Sequence, residues 1–77
     1  MKVVIVSPEK TLCEGQANGV VVPGEGGRFE VLQHHAPIIS TLTAGVVELR
    51  AAEPLTFEIS GGFIEVSHNE VSICVEM

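Results

Sequence analysis

Polar and hydrophobic positions alternate with a period of two along most of this chain. Leu55, Phe57 and Ile59 alternate with Thr56, Glu58 and Ser60, then Ile64 and Val66 with Glu65 and Ser67, then Val71, Ile73 and Val75 with Ser72, Cys74 and Glu76. Successive strand residues point to opposite faces, so this period predicts strands with one face in a core. Earlier, Phe29 and Val31 flank Glu30, and Val47 and Leu49 point away from Glu48 and Arg50 in a strand opened by Ala44-Gly45. Val3 to Val6 is an unbroken apolar run, which predicts a strand at a sheet centre or buried on both faces. No stretch carries apolar residues at i, i+3, i+4 and i+7 over a dozen positions, the signature of an amphipathic helix. Turn signals recur at roughly ten-residue spacing, and the pattern predicts an all-β sandwich or small barrel.

Other stretches are less regular. Ser7-Pro8-Glu9 ends the first strand, because proline cannot donate to a ladder. Thr11 to Glu14 leads through Gly15 into Gln16–Val22, where Asn18-Gly19 is a local type I′ hairpin signal with very few residues before it to make a strand. Gln33 to Ser40 lacks alternation and is expected to be a loop; Ala51–Pro54 and His68-Asn69-Glu70 are expected turns. Gly61-Gly62 interrupts the later strands. Phe63, directly after it, is expected to fill the core or cover a sheet corner, with Phe63→Ala costing about 3–5 kcal/mol if buried.

The most distinctive stretch is Pro23 to Pro37, which gathers three glycines, two prolines, one of the two arginines and two of the three histidines. Gly24, Gly26 and Gly27 are expected to allow positive-φ turns there. At 77 residues the chain is read as one domain, 1–77. Four basic against ten acidic side chains repel phosphate backbones and anionic membrane surfaces, so nucleic acid is not an expected partner. No apolar run approaches the ~18 residues that would span a bilayer, and the apolar run after Met1-Lys2 is too short for a secretory signal. Cys13 and Cys74 are too few for a disulfide framework and are expected to be reduced packing thiols.

Each candidate chemistry weakens against its requirements. His34 and His35 with Glu30 suggest a metal, but adjacent residues of an extended chain point apart. One imidazole satisfying loop backbone groups is the plainer role. Gly24-Glu25-Gly26-Gly27 suggests a phosphate cradle, yet Arg28-Phe29 follows where a P-loop has lysine and a hydroxyl residue before a helix. No serine, threonine or cysteine stands in a recognisable nucleophile setting. Composition and spacing supply no active site, no cofactor and no small-molecule substrate.

In order and spacing, Val6-Ser7-Pro8-Glu9, Glu14-Gly15, Val20-Val21-Val22-Pro23-Gly24, Gly27, His35-Ala36-Pro37 with Ile38 and Leu42, Gly45, Gly61-Gly62-Phe63-Ile64-Glu65-Val66, and Asn69, Val71 and Ile73 resemble the epsilon subunit of F-type ATP synthases. The resemblance implies a flattened antiparallel β-sandwich, the N-terminal domain of that subunit, without catalysis of its own. It implies a rotor part at the foot of the central stalk, with the gamma subunit and the ring of c subunits as partners. Such a part couples ring rotation to ATP synthesis. Its place is the cytoplasmic side of a bacterial energy-transducing membrane, peripheral and without insertion.

Residue by residue, Gly24, Glu25, Gly26, Gly27, Arg28 and Phe29 match the loop that faces the ring. The family often has an acidic residue where Arg28 stands. His35, Ala36 and Pro37, with His34 and Ile38, match the motif near the gamma contacts, and His34 replaces a usual glycine. The resemblance also implies that the stretch around Asn18-Gly19 is one continuous strand, without a hairpin and with Gly19 at a bulge or edge. Relatives usually continue into a two-helix C-terminal domain that can inhibit ATP hydrolysis. Nothing after Val75 in this sequence can form one; with Met77 as the natural end, the implied role is coupling without that inhibition. Arg28→Glu is expected to leave the fold intact and alter docking on the ring. A free-standing β-sandwich adaptor with another partner is the competing reading.

Overall fold

The computed structural model describes all 77 residues. Nine strands form: β1 (Lys2–Val6), β2 (Thr11–Gln16), β3 (Gly19–Gly24), β4 (Gly27–Leu32), β5 (Ile38–Leu42), β6 (Gly45–Arg50), β7 (Leu55–Ile59), β8 (Gly61–Ser67) and β9 (Glu70–Glu76). They make one hydrogen-bonded sheet that curls over on itself into two layers. One layer runs β2-β1-β9-β8-β5, the other β4-β3-β6-β7. The layers join where Gly24 of β3 pairs with Leu42 of β5. The body measures 26 × 25 × 18 Å, the flattened sandwich that the resemblance implied. All pairings are antiparallel except β1 with β9, which run parallel from Lys2 opposite Glu70 to Val6 opposite Cys74.

The period-two pattern places the core. Val3 and Ile5 of β1, Ile64 and Val66 of β8, and Val71, Ile73 and Val75 of β9 point inward from the first layer. Val20 and Val22 of β3, Val31 of β4, Val47 and Leu49 of β6, and Ile59 of β7 meet them from the second. No buried side chain is polar or charged. Each such aliphatic contributes about 1.5–3 kcal/mol by leaving water.

Four expectations are corrected. First, the chain from Gln33 to Ser40 is not all loop, because β5 begins at Ile38. Ile38 packs on the core while Ile39 is exposed, so apolar residues occupy both phases and erase the alternation. Second, Gln16–Val22 is not one strand. No hairpin forms, since β2 pairs only with β1, yet the strand breaks at Ala17-Asn18, where the chain crosses between layers. Ala17 N–H donates to Met1 O at 2.9 Å and Asn18 N–H to Arg50 O at 2.8 Å, satisfying the backbone at the crossing.

Third, Gly19 is not at an edge. It is buried between β4 and β6, opposite Leu32 and Arg50. Fourth, Phe63 does not fill the core: its ring is half exposed, on the phase opposite to Ile64 and Val66. Gly61-Gly62 opens β8 instead of interrupting a strand, and Gly62 has φ +151 with its Cα pressed against the Cys74 backbone, where a Cβ would collide with the Cys74 carbonyl oxygen.

Chemical denaturation should therefore rank three variants. Ile64→Ala should cost about 2–5 kcal/mol and Phe63→Ala about 1 kcal/mol. Gly62→Ala should leave little folded protein. Equal losses at positions 63 and 64 would contradict the assigned strand phase.

Candidate functional site

Tracing the strands sorts the connections into two groups. Glu25-Gly26, Thr43-Ala44, Ser60 and the Ser7–Lys10 turn lie at one end of the sandwich. Ala17-Asn18, Gln33–Pro37, Ala51–Pro54 and His68-Asn69 lie at the other. The two candidate segments are thus held at opposite ends, with β3, β4 and β5 running between them.

The glycine segment is the β3–β4 hairpin. Of its glycines only Gly27 takes positive φ, at +130. Gly24 is required by close approach: a Cβ there would lie 2.6 Å from Phe29 Cε1 and 2.7 Å from Gly27 O. The hairpin is fastened to the neighbouring turn by Glu25 N–H donating to Thr41 O at 3.0 Å and Thr43 N–H donating to Pro23 O at 2.8 Å. Phe29 is half-buried against the core, while Glu25, Gly26, Gly27 and Arg28 are exposed.

The Arg28 guanidinium folds back along the sheet. Nη1 donates to Val46 O at 2.7 Å and Nη2 to Glu48 Oε2 at 2.8 Å, so one side chain of β4 reaches over β3 to β6. Arg50 of β6 pairs with Glu30 of β4 in the reverse sense. These two ion pairs run side by side over β3 and bracket Val21, which stands between Glu30 and Glu48 in register.

At the other end, His35 N–H donates to Leu32 O at 3.2 Å, closing the turn after β4. Nδ1 of His35 lies 2.7 Å from Ala36 O, so this imidazole satisfies a loop carbonyl. His35 and Ile38 are half-buried; His34, Ala36 and Pro37 are exposed. His34 adopts φ +64, the left-handed region where a glycine would sit without strain. Its N–H donates to Asn69 Oδ1 at 2.8 Å. Asn69, itself at φ +59 beside His68 at +51, forms the two-residue β8–β9 turn and accepts Lys2 N–H through its own carbonyl at 3.3 Å. One side chain therefore locks the histidine loop to the β8–β9 turn. The His68-Asn69 dipeptide between alternating runs signals the turn, but nothing local signals the bond to His34.

No group of three or more histidine, cysteine or acidic side chains is gathered in a metal-binding arrangement. Cys13 and Cys74 are free thiols. Cys13 stands opposite Ile5 and Cys74 beside Val6, so β1 separates them and they belong to opposite faces of its layer. There is no helix long and apolar enough to cross a membrane.

The fold defines a small two-layer β-sandwich with a hydrogen-bonded loop segment fastened at each end. The chain belongs to the family described as the ATP synthase delta/epsilon chain, beta-sandwich domain, whose model matches residues 1–77. An ATP synthase epsilon chain of Leptospira borgpetersenii is 46% identical over 77 residues, covering 99% of this chain and 61% of the relative. That of Chlorobaculum tepidum is 42% identical over 74 residues, covering 94% of this chain and 84% of the relative. The chain thus spans about three-fifths of the Leptospira protein and most of the Chlorobaculum one. Among solved structures, a chain of the Tetrahymena thermophila mitochondrial ATP synthase central stalk and c-ring superposes with a TM-score of 0.87 at 15% identity, over 99% of this chain and 63% of that one. A chain of the Euglena gracilis mitochondrial ATP synthase does so with 0.90 at 19%, over 97% and 49%. These two likenesses speak for the fold.

Two stability measurements check the loop geometry. His34→Gly should raise stability by about 1 kcal/mol by relieving the left-handed strain, and Asn69→Ala should lower it by about 1–2 kcal/mol through the lost acceptor and the unfavourable turn. Arg28→Glu should cost no more than about 1 kcal/mol, an exposed ion pair, and the difference should shrink in high salt.

Proposed function

We propose that this chain is the coupling piece of a rotary F-type ATP synthase: a non-catalytic central-stalk subunit that grips gamma and rests on the c-ring. The segment His34, His35, Ala36, Pro37 and Ile38 meets gamma. The hairpin Gly24, Glu25, Gly26, Gly27, Arg28 and Phe29 faces the ring. Rotation of the ring then passes through the sandwich to the stalk. The working position is peripheral, on the cytoplasmic side of a bacterial energy-transducing membrane.

The observation that carries this reading is the family match over the whole chain. The placement of the two segments supports it, because a part that bridges two partners needs its contacts at separated ends. The material between them is also suited to torque. Strands run from end to end, the core has no buried polar group, and both loops are hydrogen-bonded to their neighbours.

Calorimetric titration of the folded chain into purified gamma subunit should show saturable one-to-one binding. Absence of heat and of co-migration at tens of micromolar, with the chain shown to be folded, would leave a shared fold and favour an adaptor with another partner.

A further inference from the structure

Asn18-Gly19 carries a hairpin signal that the fold does not use. The dipeptide sits instead where the chain leaves β2 in one layer and enters β3 in the other. Glycine is needed there for room: a Cβ on Gly19 would lie 3.2 Å from Leu32 Cδ2 and 3.3 Å from both Glu30 Oε2 and Val31 O. Gly19 is buried, whereas Asn18 before it is exposed to water.

Asparagine is chemically labile, and most so before glycine. The main-chain nitrogen of the following residue attacks the carbon of the side-chain amide. A glycine there puts no side chain in the way and leaves the backbone free to rotate. A C–N bond forms, ammonia leaves, and water then opens the resulting succinimide at one of its two carbonyls. One water is consumed and one ammonia released. The product is aspartate or isoaspartate, and in isoaspartate the main chain runs through the former side chain and is longer by one carbon.

The fold keeps the reacting atoms apart. Gly19 stands in register with Leu32 of β4 on one side and Arg50 of β6 on the other, and Asn18 N–H donates to Arg50 O at 2.8 Å. Attack requires the peptide between residues 18 and 19 to rotate, which this pairing prevents until the start of β3 opens. We infer that Asn18-Gly19 is a modification site gated by folding: closed in the folded chain, it deamidates in chains that stay open. The isoaspartate form does not fit back. Its extra carbon falls between Ala17, whose N–H is tied to Met1 O at 2.9 Å, and Val20, which is fixed opposite Val31 and Leu49. Register decides which side chains of β3 face the core, so a slip there displaces Val20 and Val22. Deamidation thus leaves a lasting mark on chains that fold late or open often. The gate needs no partner and is independent of the stalk reading.

The test ages the full chain at mildly alkaline pH, once folded in buffer and once in guanidinium chloride. Peptide mass mapping and labelling by an isoaspartyl methyltransferase follow residue 18. Conversion should be about tenfold or more faster in denaturant, a ratio that reports how rarely the folded chain opens. Asn69, followed by Glu70, whose side chain hinders the same attack, should persist in both and serves as the internal reference. Asn18→Gln would have to close a larger ring and should resist in both. Returned to buffer, the isoaspartate form should lose the cooperative unfolding transition or show it at lower denaturant. Asn18→Asp, which adds the same charge without the extra carbon, should keep the wild-type transition. Equal conversion of folded and unfolded chain, no conversion in either, or an isoaspartate form that refolds with the wild-type transition would each overturn the inference.

Discussion

Every strand here has two phases, and only one layer of aliphatic side chains exists to bury. That constraint organises the molecule. Val3, Ile5, Val20, Val22, Val31, Val47, Ile64 and Ile73 are buried with almost no exposed surface, so the two layers share a single thin core. None of the three phenylalanines belongs to it. A small chain buries only about 60% of its unfolded surface, and compact branched side chains that lose little rotamer freedom on burial suit so thin a layer. With the inward phase spent on packing, the character of the protein is set by what each outward phase carries.

Those outward phases diverge. On one layer, arginines and glutamates of β4 and β6 tie across β3 and leave little apolar surface. On the other, phenylalanine, isoleucine, valine and cysteine remain in view. Two exposed ion pairs add little stability, so the contrast bears on association more than on folding. The loops show a similar division of labour: the glycine hairpin is held by backbone bonds to the Thr41–Thr43 turn, and the histidine loop by the Asn69 side chain.

Much of this was legible in the sequence. The alternation from Leu55 to Val75 gave β7, β8 and β9 with their buried phase, and Val47 and Leu49 gave β6. The failures share a cause. Alternation reports a difference between faces, and where the outward face is itself apolar the difference vanishes. Ile38 and Ile39 hid β5 in this way. Phe63 invited placement in the core by its size, although Ile64 and Val66 already set the opposite phase as inward. The break at Ala17-Asn18 depended on which layer each flanking strand would join, a long-range fact that neighbouring residues do not encode. In the candidate segments, the glycines and histidines announced loops. That Arg28 lies back over β3, and that Asn69 holds His34, follows only from strands remote in sequence coming together.

The parallel pairing of β1 with β9 bears on how the chain is made. β1 emerges first, yet one of its two neighbours is the last strand, with almost the whole sequence between Val3 and Val71. Until β9 arrives, β1 and β2 form only a two-stranded ribbon, which is marginal in water by itself. Contacts that close so long a loop slow folding. The first layer is therefore completed after synthesis has passed β9, and until then Val3, Val4, Ile5 and Val6 are a bare adhesive edge during synthesis.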